Sequence, residues 1–172
     1  MMRNLTIGRP PFDGQDHFTF YSDLTTPMFM GLFEGHFYFR EIYEAYPDTV
    51  FVLNTRRRED WITSRTNHGG DQIGRYKHHY GLADDQAVIQ LWRSQWDSHH
   101  ENVQEFFANK PEQLIVFDID KHTGADLAVA LETHLPLDPA LWSHEGKTTP
   151  QQERDAKLLR AERHRKEMDH SE

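Results

Sequence analysis

The densest chemistry in this chain lies between residues 54 and 65. Arg56, Arg57, Arg58 and Arg65 fall within ten residues of a protein whose formal net charge is −9, beside the hydroxyls of Thr55, Thr63 and Ser64. A guanidinium presents a planar fork of donors that suits phosphate and sulfate oxygens, and a serine one or two helical turns further on adds a neutral donor. The composition predicts a local anion site, with a solvated basic helix start as the alternative. Three adjacent arginines cannot all point at one ligand, so the backbone must select among them.

Two residues are candidates for proton transfer. Asp23 follows Phe18-Thr19-Phe20-Tyr21, a run that reads as a short strand. If that strand neighbours the one leading into Arg56, their carboxyl ends adjoin and Asp23 faces the arginine loop as a general base on an acceptor hydroxyl. Its alternative role is to close the following turn through its own side chain. His68, downstream of the arginines, is the second base candidate, with a plain surface position as its alternative. Twelve histidines, among them the pairs His78-His79 and His99-His100, raise a metal hypothesis. Adjacent histidines on a helix project about 100° apart and do not form a chelating i, i+4 pair, so no metal site is expected.

The elements that must position these groups follow from apolar pattern. Val50-Phe51-Val52-Leu53 comes after the turn signal Tyr46-Pro47-Asp48 without polar alternation, as in a strand buried on both faces of a parallel sheet. A polar loop and a helix carrying Trp61, Ile62 and Arg65 follow, which places the arginines at the carboxyl edge of an open α/β sheet. Phe37, Ile42 and Ala45 mark a helix closed by Pro47, after a flexible interval from Gly31 to Gly35; this helix fits a β-α-β crossover. Residues 67 to 83, with Gly69, Gly70, Gly74 and Gly81, read as a mobile loop. Val88, Leu91, Trp92, Trp96, Val103, Phe106 and Phe107 share one face of a long helix that Asp84 or Asp85 can cap, and the tryptophans Trp61, Trp92 and Trp96 read as core. Leu114 to Phe117 is a second buried strand, and Leu127 to Leu131 a further helix. Residues 1–149 are expected to form one three-layer α/β domain, an open sheet with parallel central strands near 18, 50 and 114 and helices on both faces. Residues 150–172, with six basic and six acidic side chains, form a solvated helix or frayed tail.

Composition narrows the class. No apolar run approaches the ~18 residues of a membrane span, so no membrane association is expected. The acidic balance argues against a general nucleic-acid binder. Absence of cysteine removes thiolate metal sites and thiol nucleophiles and is compatible with a reducing compartment, so a cytoplasmic location is expected.

The order of these pieces resembles the sulfotransferases that use 3′-phosphoadenosine 5′-phosphosulfate. The strand ending in Thr55-Arg56, the Asp60-Trp61 pair close behind and Ser64 eight positions after Arg56 are similar to that family's 3′-phosphate-binding motif. Phe39 to Asp48 resembles the helix and turn before it, and Leu91-Trp92, His99 to Val103, Phe106-Phe107 and Leu114 to Ile119 resemble the family's later helix and strand. The likeness extends over most of residues 18 to 145. It implies a P-loop NTPase-like fold in which Arg56 and Ser64 bind the donor's 3′-phosphate. The implied activity is sulfuryl transfer to a hydroxyl or amine of a small molecule or carbohydrate, without a metal. Trp142 to Lys147, with His144, resembles a late segment near the donor. One departure stands out: the family opens with a strand and a glycine-rich phosphosulfate loop, and Ile7-Gly8-Arg9-Pro10-Pro11-Phe12 does not match it. The chain is therefore expected to start after that element. This leaves a second reading open, a truncated or degenerate domain that binds a nucleotide or anion without catalysis or serves as an interaction module.

Overall fold

The computed structural model describes residues 1–28, 31–68, 71–143 and 149–169. The chain is mixed α/β and mostly helical, and it divides into two compact units, residues 1–55 with 97–142 and residues 56–96 with 143–172. Among the described residues no helix is long and apolar enough to cross a membrane.

The first unit opens with α1 (Met2–Thr6) and a series of turns. β1 (Thr25–Met28) and β2 (Gly31–Glu34) then pair antiparallel, Thr25 opposite Glu34. A 3₁₀ turn over Gly35–Tyr38 leads into α2 (Phe39–Ala45). Only glycine fits at position 35, because a Cβ there would lie 2.6 Å from the Leu24 carbonyl oxygen. β3 (Phe51–Thr55) and β4 (Leu114–Asp118) pair in parallel, Phe51 with Leu114 through Thr55 with Asp118. Phe39, Leu53, Val103 and Phe107 form the core on one face of this pair, with Tyr43, Phe51, Phe106 and Leu114 packed around them. Leu53 is opposite Val116, so Phe117, one residue on, is turned to the other face. There it meets the Trp142 ring. Trp142 fills the space a Cβ on Gly124 would need, 2.5 Å away, at the start of α6 (Gly124–Leu131). Thr123 and Asp126 close that helix with a reciprocal capping box.

The parallel pairing agrees with expectation, while several other details differ. Residues 18 to 21 are not a strand: Phe18 and Phe20 are 56% and 60% exposed, and Tyr21 stacks on Phe12 at 4.0 Å instead of pairing with a neighbour. Gly31 begins β2, which pairs with β1, so among the described residues the β-α-β crossover expected through α2 has no first strand in the β3–β4 sheet. The two-face burial expected of β3 and β4 is partial, with Phe51 and Val52 half-buried and Val116 44% exposed. Each strand has one neighbour among the described residues, which leaves backbone and side chains uncovered along the outer edges.

The second unit contains α3 (Arg58–Asn67), α4 (Gln72–Tyr80), the first half of α5 (Asp85–Phe107) and α7 (Pro150–Asp169). Ile62, Ile73, Tyr76, Val88 and Trp92 are its buried apolar residues. α4 replaces part of the loop expected over residues 67 to 83. Its glycines obscure a real period: Ile73, Tyr76 and Tyr80 recur at i, i+3 and i+7, between an Asp71 cap and Gly81 at φ +63. Asp71 itself adopts φ +48 and accepts from the Gly74 N–H. Asp84 caps α5 as expected, accepting from the Ala87 N–H at 2.8 Å. The charged C-terminal stretch forms α7, whose Arg163 donates to Asp71 and, at 2.9 Å, to Asp85.

Candidate functional site

The candidate site lies in the second unit, at the entry to α3 and along that helix. Thr55 closes the strand, Arg56 and Arg57 make the turn, and Arg58 starts the helix. Glu59 and Asp60 occupy the first helical turn, where acidic side chains complement the positive end of the peptide dipoles. These two carboxylates engage several of the arginines around them.

Arg57 grips Asp60 with two hydrogen bonds of 2.7 and 2.6 Å. Hydrogen bonding from Arg57 holds the Asp60 carboxyl below its usual range, and the charge of Arg56 adds to the effect. Arg58 bonds Glu59 at 3.2 Å, while Arg93 of α5 binds the same carboxylate at 3.1 and 2.8 Å. The Glu59 carboxyl is likewise held low, chiefly by its bond to Arg93. Arg65 lies between aromatic rings, its guanidinium carbon 4.9 Å from the centroids of Trp61, Tyr76 and Trp92, and it donates to the Tyr76 hydroxyl. The three tryptophans are core as expected, Trp92 fully buried and Trp61 and Trp96 half-buried against each other at 4.8 Å.

The hydroxyls sort in the same way. Thr63 donates to the Glu59 carbonyl at 2.8 Å and Thr66 to the Ile62 carbonyl at 2.7 Å, so both are turned back onto the helix. Ser64 is exposed, and among the described residues its hydroxyl meets no hydrogen-bond partner. Ser64 follows Asp60 by one helical turn on the same face. It begins the second half of α3, beyond the free N–H groups of the first turn. An anion there would draw on side chains more than on helix-terminal amides. Thr55 belongs to the first unit, where the His100 ring nitrogen Nε2 lies 2.9 Å from its Oγ1.

The two base candidates are both exposed. Asp23 stands in the turn before β1 with φ +49, a left-handed conformation that aspartate tolerates better than most residues. It does not end a strand, because the strand expected at 18 to 21 is absent. His68 follows the last residue of α3, about 15 Å along the axis from its first turn. His144 lies outside the described residues. Among the described residues no group of three or more histidines, aspartates or glutamates has the geometry of a metal site.

Two features were not read from the sequence. Glu34, at the end of β2, is the one charged side chain among the buried residues described, 6% exposed; its apolar neighbours Leu32 and Phe33 were its only advance signal. The aromatic surround of Arg65 was legible as Trp61 one turn before an inward-facing arginine, but its other walls come from α4 and α5.

Residues 30–82 match the family model of the sulfotransferase domain. The matched stretch runs from the edge of β2 through α2, β3, α3 and α4, just under a third of the 172 residues. It includes Arg56, Ser64 and His68 and leaves out Asp23. No curated protein and no solved structure matches the chain.

Proposed function

We propose that this protein is a sulfotransferase that takes its sulfuryl group from 3′-phosphoadenosine 5′-phosphosulfate, with Arg56 and Ser64 holding the donor's 3′-phosphate. In this reading the β3–β4 pair is the centre of the family's three-layer α/β sheet, at whose carboxyl edge ligands bind. The observation that supports the proposal is the sulfotransferase-domain match over residues 30–82, which takes in both Arg56 and Ser64, together with the exposed Ser64 hydroxyl on α3. The local balance also favours an anion, since between residues 56 and 65 Arg56, Arg57, Arg58 and Arg65 outnumber Glu59 and Asp60.

The donor supplies an activated sulfur whose bond to the 5′-phosphate breaks as the acceptor oxygen or nitrogen bonds to it. The chain's part is to fix the donor's far end with the Arg56 fork and the Ser64 hydroxyl, so that binding energy aligns the reacting centre. A base must take the acceptor's proton, and Asp23 and His68 remain the candidates for it. The acceptor is a hydroxyl or amine of a small molecule or carbohydrate.

A second reading, binding without transfer, is favoured by the partial extent of the sulfotransferase-domain match, residues 30–82. Calorimetry with 3′-phosphoadenosine 5′-phosphate and a sulfate-transfer assay separate the two. Binding with transfer supports the first reading, binding alone supports the second, and absence of binding removes both.

A further inference from the structure

We propose that Arg65 is a positioning residue for this anion site: its place among the rings of Trp61, Tyr76 and Trp92 sets the rotation of α3 about its own axis, and with it the direction of the Ser64 hydroxyl. The proposal rests on the reading of Arg56 and Ser64 as phosphate ligands.

The argument begins with the helix itself. Ile62 is the buried residue of α3, and Trp61, Arg65 and Thr66 beside it on the helix are half-buried. An aliphatic side chain at position 65 would complete that face by contact alone and leave the helix free to roll by small steps. Arginine imposes direction. Its guanidinium meets three ring faces at 4.9 Å, and Nη2 donates to the hydroxyl of Tyr76, whose side chain is fully buried. Both the cation–π attraction and the hydrogen bond depend on orientation, so rolling α3 breaks them together. Tyr76 belongs to α4 and Trp92 to α5, and the two rings meet edge to face at 5.2 Å. Arg65 therefore measures α3 against two other helices at once.

Ser64 precedes Arg65, and consecutive helical residues project about 100° apart. Fixing one direction fixes the other. Another charged tie from α3 to α5 lies at the first turn, where Glu59 meets Arg93 at 2.8 Å. That pair is solvent-facing, with side-chain exposures of 48% and 31%, and exposed ion pairs constrain little. The internal contact at Arg65 ties the half of the helix carrying Ser64 to α4 and α5.

The test is a double-mutant cycle read by calorimetry with 3′-phosphoadenosine 5′-phosphate. Ser64→Ala is made in the wild-type protein and again in Arg65→Met, which keeps length and removes the fork. It is made a third time in Tyr76→Phe, which keeps the ring and removes only the accepting hydroxyl, so at least one background is expected to fold. Ser64→Ala is expected to weaken binding severalfold in the wild type and less than about twofold in Arg65→Met, with Tyr76→Phe between them. Arg65→Lys should restore part of the Ser64 effect. A purely structural role lowers the melting temperature in these backgrounds and leaves the Ser64→Ala factor unchanged, and that result overturns the proposal. Absence of wild-type binding instead removes the function reading on which it depends.

Discussion

His99 gives the fold a pH dependence that can be calculated from its surroundings. It lies in the first unit on α5, with His36 at 5.0 Å, Phe37 at 5.5 Å and Phe39 at 6.0 Å between ring centroids, all nearly edge-on. Burial, followed by the neighbouring His36 and His100, holds its pKa down to about 4 from 6.5. Between those values the unfolded chain binds a proton that the folded chain refuses. The stability from neutral His99 is thus complete above the unfolded value, declines as pH falls through the interval, and levels off below the folded one. At ~1.36 kcal/mol per pH unit the loss is at most roughly 3 kcal/mol, and with the ring half-buried a net loss of about 2 kcal/mol is expected. The carboxyls of Glu59, Asp60, Asp118 and Asp126 are held low, so their losses begin at lower pH and do not mask the effect. The assay is urea unfolding of wild type and His99→Phe from about pH 7.5 to about pH 4.5. The wild type should lose about 2 kcal/mol more than the variant over that range. Parallel curves would refute the argument that this ring is buried neutral.

Three further outcomes follow from the second unit. Gly74→Ala should lower the melting temperature although alanine is the better helix former by about 1 kcal/mol, because its Cβ would fall 2.1 Å from Asp71 Oδ2 and 3.1 Å from Arg163 Nη1; an unchanged or higher melting temperature would show that the Asp71 cap yields freely. Arg163→Ala strips Asp71 and Asp85 of a shared partner and should cost about 1 to 3 kcal/mol in urea unfolding, whereas no change would mean that α7 contributes nothing to this unit. Asp60→Asn removes a negative charge one turn from Ser64 and releases Arg57, so 3′-phosphoadenosine 5′-phosphate should bind severalfold tighter, with the gain shrinking at high salt; weaker binding would show that the Asp60–Arg57 pair orders Arg56.

What could be read in advance followed the range of the interactions involved. The parallel pairing of β3 and β4, the α5 face and the core tryptophans all rest on apolar spacing within one element, and that spacing is written locally. The Phe18 to Tyr21 segment misled because aromatic residues favour strands only when a neighbour is there to pair with, and here Tyr21 stacks on Phe12. α4 was hidden by glycines that serve it: Gly74 admits the Asp71 cap and Gly81 ends the helix at positive φ. At the candidate site the sequence displayed four arginines and three hydroxyls without ranking them. The ranking came from partners at different distances along the chain, Asp60 three residues from Arg57, Arg93 far along α5, and Tyr76 and Trp92 around Arg65. The Glu34 carboxylate, buried at the end of β2, was signalled in the sequence by no more than its apolar neighbours Leu32 and Phe33.

The central claim is that Arg56 and Ser64 share one phosphate. Titration calorimetry with 3′-phosphoadenosine 5′-phosphate tests it on the wild type, Arg56→Ala, Ser64→Ala and a control that removes Arg57 and Asp60 together as Gln and Asn. Arg57→Ala alone is a poor control, because it would leave Asp60 uncompensated beside the ligand. Loss of a charged hydrogen-bonding partner costs about 1.5 to 3 kcal/mol, so Arg56→Ala should weaken binding roughly 10- to 150-fold and Ser64→Ala by less. The paired control, which leaves the net charge unchanged, should bind within about threefold of the wild type. Equal losses in Arg56→Ala and the control, or no wild-type binding at all, would contradict the account.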